Sequence, residues 1–316
     1  MKFITDFLNS GTVEQQNRKK LGALVICITA ALLVVALIVL AVFGIAGAIK
    51  NKNQEDEGET GPQIPKGYVT TTIDPATVQQ TLFVIDEAHP YTGTAQLVDF
   101  PSKGSSDRAQ TESGGAVYSG ASGKKATAEA VTAFNKMMQA FYDAKKDDCL
   151  YIRSIDASGT IFTFTYYADF ENEPDNRPSI YNSEAKAPVA TYKWIYDNAA
   201  EYGFVRASDA EGEENVFRYV GAVHAKIMAD KKLNTVAAYI TYLQTKTNVR
   251  AQVGATVRGA DGKDVKYSVY FIAADETPYV PEAGTYEYTV CSDNMGGYIV
   301  TVCKTKITTK TEATPA

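Results

Sequence analysis

Residues Leu21 to Ile49 are 29 consecutive positions without an Asp, Glu, Lys, Arg, His, Asn or Gln, and nothing else in the chain restricts its fold so severely. As an α-helix rising about 1.5 Å per residue, the run reaches roughly 43 Å against a hydrocarbon core of roughly 30 Å, so it spans a bilayer with tilt. A cleaved signal peptide has an apolar core of about 7–15 residues. The run therefore reads as an uncleaved transmembrane helix, although Ala46-Gly47-Ala48 has the small side chains of a cleavage site. Arg18, Lys19 and Lys20 abut it on one side, whereas Lys50 and Lys52 on the other are followed by Glu55, Asp56, Glu57 and Glu59. That bias predicts a single-pass protein of the cell membrane, with residues 1–20 as a cytoplasmic tail and the C-terminal domain extracytoplasmic.

Residues 50–66 are polar, carry Gly and Pro, and read as a flexible linker. Beyond the anchor the chain holds 35 acidic and 27 basic side chains, a balance that argues against nucleic-acid binding. Thr81–Asp86 (TLFVID) reads as a short apolar strand, and the Gly- and Ser-rich stretch 102–125 as a surface loop. Val131, Phe134, Met138 and Phe141 recur at helical spacing, so a helix beginning near Ala126 packs one face on a core. Leu150–Ile155 and Thr160–Ala168 read as strands, the second alternating Phe162, Phe164 and Tyr166 with Thr163 and Thr165. Helices are expected at about 190–202, ending at Gly203, and near 220–229 and 234–243.

From Val249 the period becomes 2. Alternation over 249–257 and 265–271 about the turn 260–263 gives one hairpin, and 286–291 with 298–303 gives a second. Symmetric pairing about Ser292–Gly297 sets Cys291 opposite Tyr298 and Cys303 near Thr285 or Tyr286, so the two are not expected to bridge. Cys149 reads as a structural thiol. The fold class is α+β: a core over 67–245, a small antiparallel β-hairpin module over 246–306, and a disordered tail from 307 to 316.

The most informative segment is Tyr192–Ala225. Trp194, Ile195, Asn198, Ala199, Tyr202, Gly203 and Phe204 are followed by Phe217, Arg218, Tyr219, Val220 and Gly221, then His224 and Ala225. This order resembles the VanY-like D-alanyl-D-alanine carboxypeptidases, zinc peptidases in which W-L-x-x-N-A-x-x-Y-G-F precedes E-P-W-H-F-R-Y-V-G. Phe83–Pro90 and Thr235–Leu243 echo two further family segments. The resemblance implies a DD-peptidase (Hedgehog-type) core, with a zinc ion held by a His, an Asp seven residues later, and the His of E-x-W-H, whose Glu is the general base. Matched residue by residue, Asp169 keeps the Asp position and Glu213 the base position, but Phe162 and Val216 stand where the two histidines belong. Ala157, in Ser154-Ile155-Asp156-Ala157-Ser158, stands at the substrate-orienting Arg.

Asp169 and Glu213 are thus vestigial, and no catalytic residue, no metal site and no cofactor is expected, because two carboxylates without an imidazole or thiolate partner hold zinc poorly. The two histidines of the chain, His89 and His224, read as an edge and a packed residue. Tyr166 and Tyr219 fall near the former cleft and suit a groove, where a ring packs while its hydroxyl bonds. The expectation is a pseudoenzyme that binds a peptidoglycan stem peptide or an envelope protein partner. Two alternatives stand beside it: an active carboxypeptidase with a metal site relocated to Asp169, Glu213 and His224, and a structural scaffold of a membrane complex.

Overall fold

Thr127 starts the central helix by accepting the Ala130 N–H on its side-chain oxygen at 3.3 Å. At the other end Lys146, in the left-handed region at φ 55°, closes it with an N–H bond to the Tyr142 carbonyl. Between them Val131, Phe134, Met137, Met138 and Phe141 are buried on one face, which is the predicted stripe with Met137 added. The structure, a computed structural model of the chain, describes residues 64–101, 108–110, 116–147, 149–167, 177–259 and 262–306. The expected membrane helix, residues 50–63 of the linker, Asp169 and the tail from 307 lie outside the described residues. No helix among the described residues is long and apolar enough to cross a membrane.

In chain order the strands are β1 (Tyr68–Thr70), β2 (Leu97–Asp99), β3 (Arg108–Gln110), β4 (Ala116–Ser119), β5 (Lys125–Thr127), β6 (Leu150–Ile155), β7 (Ile161–Tyr166) and β8 (Tyr181–Asn182). They continue as β9 (Ala187–Pro188), β10 (Phe204–Arg206), β11 (Val216–Tyr219), β12 (Val253–Arg258), β13 (Asp264–Ile272), β14 (Tyr279–Pro281), β15 (Tyr286–Ser292) and β16 (Tyr298–Lys306). The α-helices are α1 (Ala128–Lys145), α2 (Lys193–Asn198), α3 (Ala222–Lys231) and α4 (Val236–Lys246).

Helix α1 lies on a six-stranded sheet of order β10-β11-β7-β6-β4-β3. The alternation in β7 sends Phe162 and Phe164 to the helix side, where both rings stack on Phe134 at 5.5 Å, and leaves Thr163 and Thr165 on the far face. The stretch expected to be a surface loop supplies β3 and β4 to this sheet. Within it Tyr118 is fully buried and hydrogen-bonds Asn135 on α1. Gly120, at φ 79°, passes so close to β6 that a Cβ would meet the Ile152 carbonyl oxygen at 2.4 Å, so glycine there is a packing requirement. Helix α2 starts later than predicted, at Lys193, and its last turn tightens into a 3-10 segment that ends at Gly203, in the left-handed region at φ 84°.

A second core forms where α3 and α4 pack on one face of the four-stranded sheet β12-β13-β16-β15. Ile227, Met228, Ile240 and Leu243 meet Val269, Phe271, Cys291 and Ile299 there. The opposite face buries Tyr270, Ile272, Val300 and Val302 under Tyr68 and Ile73. The first hairpin begins at Val253 rather than Val249, because Asn248 Oδ1 accepts the N–H groups of Arg250 and Ala251 at 2.9 Å each and holds a turn. The second hairpin is one residue out of the expected register: Cys291 lies opposite Ile299, and Ser292 opposite Tyr298. Asp293 decides this, since its carboxylate takes the N–H groups of Met295 and Gly297 and makes the turn shorter than symmetry about Ser292–Gly297 assumes. Cys303 sits across from Tyr267 of β13, and Cys149, Cys291 and Cys303 are free thiols.

Thr81–Asp86 is not a strand. Leu82, Phe83 and Val84 are buried, but they turn into the protein as a plug, while Gln79 bonds the β15 edge through Val290 and Ser292. Apolar composition fixed the burial of this segment and not its backbone form.

Candidate functional site

The resemblance places the peptidase centre on β7 and β11, and the register of these strands decides what the named residues can do together. Val216 faces Thr163, Phe217 faces Phe162, and Arg218 faces Ile161. Directly opposed residues share a sheet face, so Val216 lies with Thr163 on the face away from α1, whereas Phe162 is in the α1 core, with 0% exposure. Phe162 and Val216 therefore do not meet. Glu213 is exposed in the turn before β11, where its N–H bonds the Ala210 carbonyl. Ala157 is exposed at the tip of the β6–β7 hairpin, a turn organised by Asp156, whose Oδ1 accepts Ser158 Oγ at 2.8 Å and the Ile161 N–H at 2.9 Å. Because β11 runs antiparallel to β7, that tip is at the opposite end of β11 from Glu213.

The two imidazoles are committed elsewhere. His224, on α3, is buried, and its Nδ1 pairs with the Tyr239 hydroxyl of α4 at 2.9 Å while Nε2 pairs with the Thr301 hydroxyl of β16 at 3.1 Å. Burial lowers its pKa to about 4, so the ring is neutral and both nitrogens are in use. It also lies beyond the end of β11 remote from Glu213, so the structure does not bring these two together. His89 Nδ1 pairs with Asp86 at 2.9 Å, and Asp86 is held below its ordinary pKa by hydrogen bonds from the His89 backbone and side chain. Among the described residues no group of three or more His, Cys, Asp or Glu side chains could hold a metal ion. With Phe162 in the core, Val216 on the far face and both histidines engaged, these residues do not fit the zinc ion that the resemblance implies.

Tyr166 and Tyr219 occupy opposite ends of the strand pair. The Tyr219 N–H bonds the Thr160 carbonyl at 2.8 Å, and Tyr166 lies six residues further along β7, about 20 Å at roughly 3.3 Å per residue. Tyr166 packs its ring on Tyr192 at 5.0 Å, and Tyr219 packs on Phe204 at 5.3 Å. They do not line one groove. Tyr219 does border a cleft of about 620 Å³ between the two sheets, closed on its sides by residues 78–81, 92–96 and the first turn of α3. The size is that of a small-molecule site.

Motif matching passed over Arg218, although it belongs to the F-R-Y-V-G block. It is buried, with 4% exposure, and Nη2 donates to the Thr81 carbonyl at 3.1 Å while Nε has no partner. Burial lowers its pKa to about 10, opposed by the nearby Asp156 and Cys291. A guanidinium on the far face could have been anticipated from alternation, since Phe217 and Tyr219 flank it on the core side.

No protein-family model matches the sequence, and no curated protein is significantly similar to it. Among solved structures, the vancomycin-resistance D,D-dipeptidase VanXYg, determined in complex with a D-Ala-D-Ala phosphinate analogue, aligns with a TM-score of 0.50 at 14% identity, over 71% of this chain and 94% of its own. At that identity the likeness is one of fold: the chain has a mixed α+β architecture resembling that of a D-Ala-D-Ala peptidase.

Proposed function

We propose that this is a membrane-anchored, extracytoplasmic protein whose DD-peptidase-like domain has lost catalysis and binds cell-wall stem peptide or an envelope partner. The observation that carries the reading is the commitment of both imidazoles: His224 bridges α4 and β16 through both ring nitrogens, and His89 pairs with Asp86. A hydrolytic zinc site needs about three protein ligands and an open position for water, and the pair Val216 and Thr163, at the end of β11 nearest Glu213, supplies no imidazole, thiolate or carboxylate. The apolar run Leu21–Ile49 supports the anchor, and the carboxypeptidase-like blocks of Tyr192–Ala225 support the wall as the setting. The relocated-metal alternative would require His224 to give up one of its two buried hydrogen bonds.

The full chain, purified in mild detergent and dialysed against a weak chelator, should carry no stoichiometric zinc and release no D-alanine from a D-Ala-D-Ala peptide. It should be retained on purified peptidoglycan. Bound zinc together with D-alanine release refutes the reading, and failure to bind peptidoglycan or any envelope protein leaves the scaffold role instead.

A further inference from the structure

The cleft between the two sheets has a chemistry that neither the resemblance nor the wall-binding reading uses. Its lining is rich in hydroxyl and amide side chains, carries one carboxylate, Glu129, and contains no Lys or Arg. His224 at its floor is neutral. One carboxylate without a cation disfavours an anionic ligand, while the mixture of hydroxyl, amide and apolar surface suits a ligand that carries both polar groups and apolar faces. A peptide carboxylate or a phosphate would meet Glu129 with no cation to offset it.

Several of the lining groups have hydrogen-bonding capacity to spare. Thr94, Gln96, Glu129, Tyr219 and Thr289 spend no side-chain hydrogen bond on the described residues around them. Gly221, the residue before α3, offers no side-chain cap, which leaves the Ala222 and Val223 N–H groups of the first helical turn as donors at the cleft wall. One tyrosine ring comes from each sheet, Tyr219 from β11 and Tyr267 from β13. Burial, and secondarily Glu129, raises the Tyr219 hydroxyl to about 12, so it stays a protonated donor at any physiological pH. The wall formed by residues 79–81 and 91–96 is fixed: Tyr91 donates to Gln80 Oε1 at 2.7 Å, and a Cβ on Gly93 would lie 2.1 Å from the same oxygen.

Unspent donors and acceptors in both directions, flat aromatic faces and no cation match a ligand that is uncharged, densely hydroxylated and has apolar ring faces. We infer that the cleft bounded by Gln96, Glu129, Tyr219, Tyr267, Thr289 and the start of α3 is a binding site for a neutral saccharide. The inference rests on the cleft alone and holds whether or not the protein also binds stem peptide.

The test is calorimetric titration of the full chain in detergent with three probes: an N-acetylglucosamine tetramer, a neutral β-glucan tetramer, and a D-Ala-D-Ala-terminated peptide. Saturable binding of either saccharide, insensitive to added salt, is expected. Glu129→Ala and Tyr219→Phe should each weaken it about tenfold, the effect of one lost hydrogen bond. Thr94→Arg, at an exposed position of the rim, should block it without altering the circular dichroism spectrum. Absence of saturable binding by both saccharides overturns the inference, and so does displacement of the saccharide by the peptide, which would make the cleft a peptide site. Peptide binding that Thr94→Arg leaves unchanged, with no saccharide binding, overturns this inference while the wall-peptide reading stands.

Discussion

Acidification should weaken this domain through one residue, and the size of the effect follows from where His224 sits. The unfolded chain takes up a proton on this imidazole near the ordinary value of 6.5, whereas burial lowers the folded value to about 4. Between those values the unfolded state holds more protons, so stability is complete above about pH 6.5 and is lost as pH falls toward 4. The linkage integral gives a loss of about 2 kcal/mol at pH 5 and about 3 kcal/mol at pH 4 relative to pH 7. That is a large share of the roughly 5–15 kcal/mol by which such domains are stable. The groups facing the ring are the Tyr239 and Thr301 hydroxyls, and neither stabilises an imidazolium as a carboxylate would. His224→Gln keeps an amide between the two hydroxyls and cannot take up the proton. Urea unfolding followed by circular dichroism and by fluorescence of Trp194, the single tryptophan, at pH 7, 6, 5 and 4.5 should show the wild type losing stability faster than the variant, by about 2 kcal/mol at pH 5. Equal pH dependence of the two proteins would refute the reasoning.

The register of β7 and β11 makes a prediction about metal binding. Thr163→His with Val216→His places two imidazoles directly opposite one another on one face, about 5 Å apart at Cβ, and should create measurable zinc affinity by calorimetry; Phe162→His with Val216→His should not, because those positions lie on opposite faces. Gly203→Ala should lower the unfolding midpoint, at a cost of about 1–2 kcal/mol, since the residue is at φ 84° and its new Cβ would come within 2.8 Å of the Ala222 nitrogen. Arg218→Ala should destabilise by about 2–4 kcal/mol more than Arg218→Met in thermal unfolding, because both remove the donor to the Thr81 carbonyl but only Ala also leaves a cavity.

The parts of the fold that the chain declares openly are those with a sustained period. The stripe from Val131 to Phe141 and the alternation of Phe162 and Phe164 with their threonines each report a face, and both faces meet at Phe134. What escapes a sequence reading is set by single side chains or by distant partners. Asp293 shortens one turn and moves Cys291 from Tyr298 to Ile299. Tyr118 and Ser119, both buried, lie in a Gly- and Ser-rich stretch yet form part of a strand because β6 receives it in parallel. The site suffers most from this. Matching by spacing alone puts Phe162 and Val216 in one centre, whereas antiparallel pairing sets them on opposite faces. The cleft is assembled from segments 78–96, 127–129, 158–160, 219–224 and 267–301, and no short motif spans pieces so far apart.

The way residues 68–84 are woven into the C-terminal half bears on mechanics. β1 pairs with β14, Gln79 bonds both neighbours of Cys291 on β15, and the Val84 N–H bonds the Asp293 carbonyl, with the Asn294 amide returning to the Val84 and His89 carbonyls. Tension applied through Ile64 would therefore not peel the domain open from its N-terminal end. It would enter at β14 and the rim of the four-stranded sheet, where several hydrogen bonds share it at once. Resistance to such a pull is a matter of unfolding rate rather than equilibrium stability, and this chain would set that rate with strands encoded some two hundred residues beyond the point of attachment.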